Sequence, residues 1–243
     1  MVDAPDRDST ATDAPIGDGG TDAGPSTCDP GCGDAGGSCD GSTCVIDCIK
    51  GCTDRVVCPP TGGCDVVCGD GGCSSGVTCR NDTACKIDCA GDFACHRGVI
   101  CEAPNCEIAC TGPNACRNDP GISCDASVCK ITCAGSSSCN RQILANASSS
   151  CDITCTGSPS CTNGRIQCIA PDAGIRCDGI NACNNGKPWC APAEAIDAGA
   201  AVDAGACAIT CGPDTTSCTS SYCCQAGTCN VLIDAGTRTN TCP

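Results

Sequence analysis

The chain predicts an all-β fold: a disulfide-stapled, β-helix-like solenoid with coils of about 21 residues and little regular secondary structure outside them. Three observations point there. Cysteine supplies 36 of the 243 residues. Most of these cysteines recur on one period. The motif that recurs alternates apolar and polar residues as a strand does.

Composition removes the ordinary globular alternatives. The chain has one Phe, one Trp, one Tyr and one Met, with a net charge of −15. On those grounds alone it would resemble a disordered polypeptide. The cysteines reverse that reading, and their even number permits full pairing. Each disulfide contributes about 2–4 kcal/mol, so even a heavily discounted sum exceeds the usual net stability of about 5–15 kcal/mol. Covalent bonds replace the oily core this chain cannot build. Such bonds persist in oxidising compartments, which places the protein outside the cytosol, extracellular or at the outer cell surface. Met1 is followed at once by an acidic Ala/Pro/Asp-rich stretch, so the export signal is expected to have been removed or to lie upstream. No window is apolar enough for a transmembrane segment. The acidic balance argues against nucleic acid and anionic membrane surfaces as partners.

Residues 1–27 contain no cysteine and carry Asp3, Asp6, Asp8, Asp13, Asp18 and Asp22; they read as a disordered acidic tether. Residues 28–43, with Cys28, Cys32 and Cys39, read as an N-terminal cap. The repeat occupies 44–190. Its motif C-x-[IV]-x-C begins at Cys44, Cys64, Cys85, Cys106, Cys129 and Cys151, with steps of 20, 21, 21, 23 and 22 residues. A degenerate copy, AGIRC, ends at Cys177, and CAITC follows from Cys207. Residues 191–206 read as a flexible Ala/Asp/Gly insertion. Residues 207–243 read as the last coil and a cysteine-rich C-terminal cap, needed because a solenoid end must not leave an unpaired edge.

Residues one, three and five of the motif share a face on a strand. Cys85, Ile87 and Cys89 therefore point inward while Lys86 and Asp88 point out. A third cysteine follows a short loop, and a fourth lies two residues beyond an apolar one, as in Val99 and Cys101; this is a second short strand. The loop glycines Gly91, Gly112, Gly135, Gly157 and Gly179 are expected at the corner, where a positive φ is needed. Eight coils at about 4.8 Å make a rod roughly 40 Å long. The outward column Asp65, Lys86, Glu107, Lys130, Asp152 alternates in sign, as in-register parallel stacking would favour.

The fourth-cysteine position of the fifth copy is Ala145, and the first-cysteine position of the seventh is Ala173. Two losses suggest one deleted bond, between the fourth cysteine of one copy and the first of the copy two further on. That expectation pairs Cys58 with Cys85, Cys79 with Cys106, Cys101 with Cys129 and Cys124 with Cys151.

Candidate chemistry is sparse. Cysteine pairs at C-x3-C spacing invite zinc, but an Ile or Val between them in most coils fits a strand interior better. His96 follows Cys95, yet Cys95 belongs to the repeat and no third group orients a dyad. No nucleophile elbow, phosphate loop or zincin motif occurs; the chain reads as non-enzymatic, with no catalytic residue, cofactor or metal. The loop 69–72 (GDGG) lacks the ligand spacing of calcium loops. Asn81 and Asn146 match glycosylation acceptors. Arg55, Arg97, Arg117, Arg141, Arg165 and Lys187 all follow the third cysteine, and on a solenoid they are expected to form one basic stripe able to hold an acidic cell-surface or matrix polysaccharide.

Stacked disulfide coils are similar to insect β-helical antifreeze proteins, whose flat faces carry Thr-x-Thr ladders. Here the corresponding column reads Asp47, Val67, Asp88, Ala109, Thr132, Thr154, which leaves ice binding a minor alternative. The C-x-I-x-C-x-G coils joined to Asp-Ala-Gly tethers resemble the uncharacterised cysteine-rich repeat proteins of myxobacterial cell envelopes, best over 44–190. That resemblance implies a surface location, often behind a lipoprotein signal, and implies no activity. The expectation is a structural or adhesive surface protein, with a carbohydrate- or ligand-binding module on the basic stripe as the alternative. Strong reductant should abolish its cooperative melt and its β signature in circular dichroism; an unchanged melt would contradict a covalent framework.

Overall fold

A computed structural model describes residues 31–49, 51–191 and 206–212, and the backbone of 223–224 and 228–233. The expected tether and nearly all of the insertion at 191–206 lie outside the described residues. The protein is an all-β solenoid. Its C-x-[IV]-x-C segments form one column of parallel strands: β2 (Thr43–Cys48), β4 (Gly63–Cys68), β6 (Ala84–Cys89), β8 (Asn105–Cys110), the second halves of β9 (Ile122–Cys133) and β10 (Ile143–Cys155), then β12 (Asp172–Cys177), β14 (Ala206–Cys211) and β16 (Thr228–Ile233). The last of these adds a rung beyond the eight copies seen in sequence, within the segment expected as a cap.

The second column contains β3 (Val56–Val57), β5 (Val77–Cys79), β7 (Val99–Cys101), the first halves of β9 and β10, β11 (Arg165–Ile169), β13 (Lys187–Ala191) and β15 (Cys223–Cys224). The N-terminal end is covered by a one-turn helix, α1 (Gly31–Asp34), and by β1 (Ser38–Asp40), which pairs antiparallel with β2. That hairpin shields the first edge.

Identical residues stack because every coil is in register. Ile46, Val66, Ile87, Ile108, Ile131, Ile153, Ile175 and Ile209 lie one above another, each at most 1 % exposed. Val77, Val99, Ile122, Ile143 and Ile166 face them from the second wall. Between these two aliphatic files the bore is filled by sulfur and by small side chains such as Ala94, Ala115 and Ala182.

The disulfides close the two corners of each coil. At one corner the motif's second cysteine bonds the third: Cys68–Cys73, Cys89–Cys95, Cys110–Cys116, Cys133–Cys139, Cys155–Cys161 and Cys177–Cys183. At the other, the fourth cysteine bonds the first of the very next copy: Cys58–Cys64, Cys79–Cys85, Cys101–Cys106 and Cys124–Cys129. This overturns the pairing expected with the copy two further on. The Cα atoms of Cys101 and Cys106 are 6.2 Å apart, inside the reach of a disulfide; one more coil would add about 4.8 Å along the axis and exceed it. The two alanines are still linked as a deletion. Ala145 would have partnered Cys151 and Ala173 would have partnered Cys168, and the two cysteines left over bond each other.

The corner glycines also act differently from expectation. Positive φ falls on the third cysteine itself, between 49° and 55° at Cys73, Cys95, Cys116, Cys139, Cys161 and Cys183, and again two residues earlier at Phe93, Asn114, Ser137 and Asn181. Gly91, Gly112, Gly135 and Gly157 are instead required by close approach. A Cβ on Gly135 would overlap the carbonyl oxygen of Gly112, and one on Gly112 that of Gly91. Gly135→Ala should therefore cost about 1–3 kcal/mol in denaturant unfolding, whereas Gly33→Ala, where an added Cβ meets nothing within 4 Å, should leave the midpoint unchanged.

Candidate functional site

No described cysteine is free. Triads such as Cys68, Cys89 and Cys95 bring sulfurs within 4.8 Å of one another, but these are stacked disulfides of adjacent coils, and a disulfide sulfur has no thiolate to give a metal or a substrate. Cys95 bonds Cys89, so His96 has no thiol beside it to activate. Asp70, in the loop 69–72, accepts a hydrogen bond from the Asp92 backbone N–H at 2.8 Å. Its carboxylate ties one coil to the next. Asn81 is buried and donates to the Ala84 carbonyl oxygen at 3.0 Å, while Asn146 is exposed on β10. The column Asp88, Ala109, Thr132, Thr154 continues into Arg176 before Thr210, so the threonine ladder is broken. No described helix is long and apolar enough to cross a membrane.

The basic residues do not form a single file. Arg165 and Lys187 are level with each other at the start of the second column, and the Arg165 guanidinium lies 5.1 Å over the Trp189 ring. Arg55, at the start of β3, donates to Thr78 Oγ1 at 3.0 Å and to the Ser75 carbonyl at 3.3 Å. Arg97, Arg117 and Arg141 sit at the corner after the third cysteine, where loop lengths differ. Arg97 and Arg141 stand two positions after their third cysteine and Arg117 one, while Arg55 stands three and Arg165 and Lys187 four, so the basic residues fall in different files.

What the fold does assemble there is a recess of about 350 Å³ lined by His96, Arg117, Asn118, Asn140, Arg141 and Asn163. Backbone ladder bonds fix the levels: Cys116 N–H to Ala94, Asn118 N–H to His96, Cys139 N–H to Ala115 and Cys161 N–H to Ser138. Two adjacent files result. One carries Ser74, His96, Arg117, Asn140, Thr162 and Asn184; the other carries Ser75, Arg97, Asn118, Arg141, Asn163 and Asn185. Over these six coils neither contains an acid; one coil earlier, after Cys52, the second file begins with Asp54. Within the recess, Asn118 Nδ2 lies 3.0 Å from His96 Nε2, Arg117 donates to Asn114 Oδ1 at 2.8 Å, and Thr162 donates to Asn140 Oδ1 at 2.6 Å. The Asn140 acceptor is thereby satisfied, leaving its amide NH2 to donate. Arg141 meets Asp119 only loosely, at 3.8 Å. The sequence reading placed Arg117 and Arg141 after the third cysteine without grouping His96 and the asparagines with them; the shared feature is a run of donors at the two positions after the third cysteine from Cys73 to Cys183.

The alternating column is a different surface. Asp65, Lys86, Glu107, Lys130 and Asp152 stack in register, and Lys130 Nζ bonds Glu107 Oε1 at 2.8 Å. After the fourth cysteine, Arg80 and Glu102 bridge adjacent coils at 2.8 Å. The hydrogen bond from Lys130 is the main cause holding the Glu107 carboxyl below its ordinary value; the charges of Lys130 and Lys86 assist, and partial burial opposes. The same bond chiefly raises Lys130. A lowered carboxyl stabilises the fold fully above its unfolded value near pH 4.3, and that stabilisation is lost as pH falls through the folded value. A raised ammonium stabilises fully below about pH 10.4 and loses its effect as pH rises through the folded value.

Lys130→Glu would stack three acids, Glu107, the new Glu and Asp152. Its melting temperature should drop relative to the parent at pH 7, and the gap should close in 1 M salt and at pH 3; a gap that persists at both would remove the electrostatic account. Comparison with family models, with curated proteins and with solved structures finds nothing that matches this chain.

Proposed function

We propose that this protein is a non-enzymatic, extracellular structural or adhesive rod, held from a surface by its acidic N-terminal segment. The observation that carries the proposal is the placement of the disulfides. They close loops of only 4 to 6 residues at corner after corner, and the bore between them is filled by side chains. A chain organised this way keeps its shape without a ligand. Its many disulfides suit an oxidising setting, and the bore of the described coils is filled by side chains. An Asp-Ala-Gly tether of the kind found in envelope proteins fits attachment to a surface, including through a lipid.

Local staples define how such a rod yields to load. From Cys85 to Cys106 the loops 89–95 and 101–106 are held shut, with Cα–Cα spans of 5.9 and 6.2 Å. The other 10 of the 21 residue steps can extend at about 3.4 Å each, so a peeled coil releases roughly 40 Å beyond its resting rise. The coil closed by Cys151–Cys168 has only the steps from Cys168 to Ala173 to extend and releases less than half as much. Single-molecule pulling on the oxidised chain should show successive steps near 40 Å with one short step and one longer step of about 55 Å, the latter from the coil between Cys129 and Cys151 whose corner at Ala145 carries no disulfide, growing to about 65 Å after reduction. Release of the whole stack in one low-force event would count against a load-bearing role.

A further inference from the structure

Outside the stack itself, the molecule presents several candidate surfaces. The file Glu102, Asp125 is acidic, but Glu102 is engaged by Arg80, and nothing marks that corner for a cation. Trp189 is half-buried, but Arg165 lies over its ring. The recess at the opposite corner differs from both. Its lining is made of two guanidiniums, three carboxamides and one imidazole, in a chain whose acids outnumber its bases 28 to 13.

We infer that this recess, lined by His96, Arg117, Asn118, Asn140, Arg141 and Asn163, binds an anionic saccharide chain running along the rod. The charge requirement follows from the two arginines. Arg117 spends one N–H group on Asn114 and Arg141 has only the long contact to Asp119, so both retain donors for a carboxylate or sulfate, the anions that guanidinium forks match in shape. The saccharide requirement follows from the rest of the lining. Carboxamides both donate and accept, which suits hydroxyl groups, and a recess of this size takes one or two sugar rings. The axial geometry agrees. Coils repeat at about 4.8 Å, close to the advance per residue of an extended saccharide chain, so consecutive sugars meet consecutive coils. The donor files continue past the recess to Ser74 and Ser75 on one side and to Asn184 and Asn185 on the other, which gives a polymer more to hold than a monosaccharide.

This inference adds a place of attachment to the rod reading and is measured on the free protein, so its failure leaves the pulling behaviour untouched. The full oxidised chain is immobilised, and binding is measured in 0.15 M salt to polygalacturonate, to sulfated dextran, to polyglutamate and to neutral dextran. The expected result is saturable binding to one or both anionic saccharides, at least tenfold tighter than to polyglutamate or neutral dextran. The first two arms tell carboxylate from sulfate recognition. Arg117→Gln with Arg141→Gln should weaken that binding ten- to a hundredfold. Arg80→Gln with Arg176→Gln makes the same change in charge away from the recess and its donor files and should stay within twofold. Asn140→Asp, which keeps both arginines and adds an acid among them, should weaken binding at least tenfold. An unchanged disulfide map and circular dichroism establish that each variant is folded. Equal binding of polyglutamate would assign the surface to acidic peptides and overturn the inference. So would equal losses in the two arginine pairs, or no saccharide binding at all.

Discussion

The structure depends on turning a short chain back on itself at two corners in every coil and keeping it there. Most corners are made in 4 to 6 residues and closed by a disulfide between Cα atoms 5.2 to 6.3 Å apart; those at Ala145 and Ala173 are not. A loop this short restricts the unfolded chain less than a long one, so each bond contributes about 2 kcal/mol by that route. Its larger effect is local. The third cysteine sits at φ near 50° in six successive coils, a region that disfavours any residue with a Cβ. Anchoring its sulfur to the strand before it holds that conformation in place. The corner is therefore one device, in which the crosslink and the left-handed residue coincide.

Cohesion between coils comes from other sources. With the bonds confined to corners, neighbouring strands are held by the parallel backbone ladder, by the two aliphatic files and by direct backbone contact through Gly91, Gly112, Gly135 and Gly157. A fully buried Ile or Val contributes about 1.5–3 kcal/mol, so the files are not a minor term beside the sulfur. A composition poor in large apolar residues hides this, because a solenoid needs only one such residue per wall per coil. The bore is thin enough that Ile87 and Val99, with four half-cystines, fill it.

The repeat, the inward Ile file and the in-register charge column were all legible in the sequence, because each is a periodicity and periodicity survives without coordinates. The disulfide partners were not. Spacing along the chain does not say how far a corner rises, and Cys79 is near Cys106 in a repeat diagram while Cys85 is near it in space. The deletion of Ala145 and Ala173 was a sound clue read one coil out of register. The glycines were identified for a conformational reason and serve a steric one, since contact between stacked backbones leaves no mark in a single sequence. The basic residues were misaligned because their offsets from the third cysteine differ: one for Arg117, two for Arg97 and Arg141, three for Arg55 and four for Arg165 and Lys187.

Two of the outer surfaces follow opposite rules, and the difference separates cohesion from recognition. In the column Asp65, Lys86, Glu107, Lys130, Asp152 each charge is next to its opposite, and Lys130 bonds Glu107 directly. In the corner files the cations are next to neutral donors instead: Arg97, Asn118, Arg141 and Asn163 in one, His96, Arg117, Asn140 and Thr162 in the other. In the first file Arg97 and Arg141 stand two coils apart, about 10 Å, which is a Debye length at 0.1 M salt, and the second holds Arg117 alone. That spacing limits their repulsion without cancelling their charge. A solvated edge whose task was to offset the acidic body would do better with bases placed beside acids, as Lys130 is beside Glu107. Cations set among carboxamides leave a positive, hydrogen-bonding surface unsatisfied by the protein itself, and that is the chemistry an anionic, hydroxyl-bearing polymer completes.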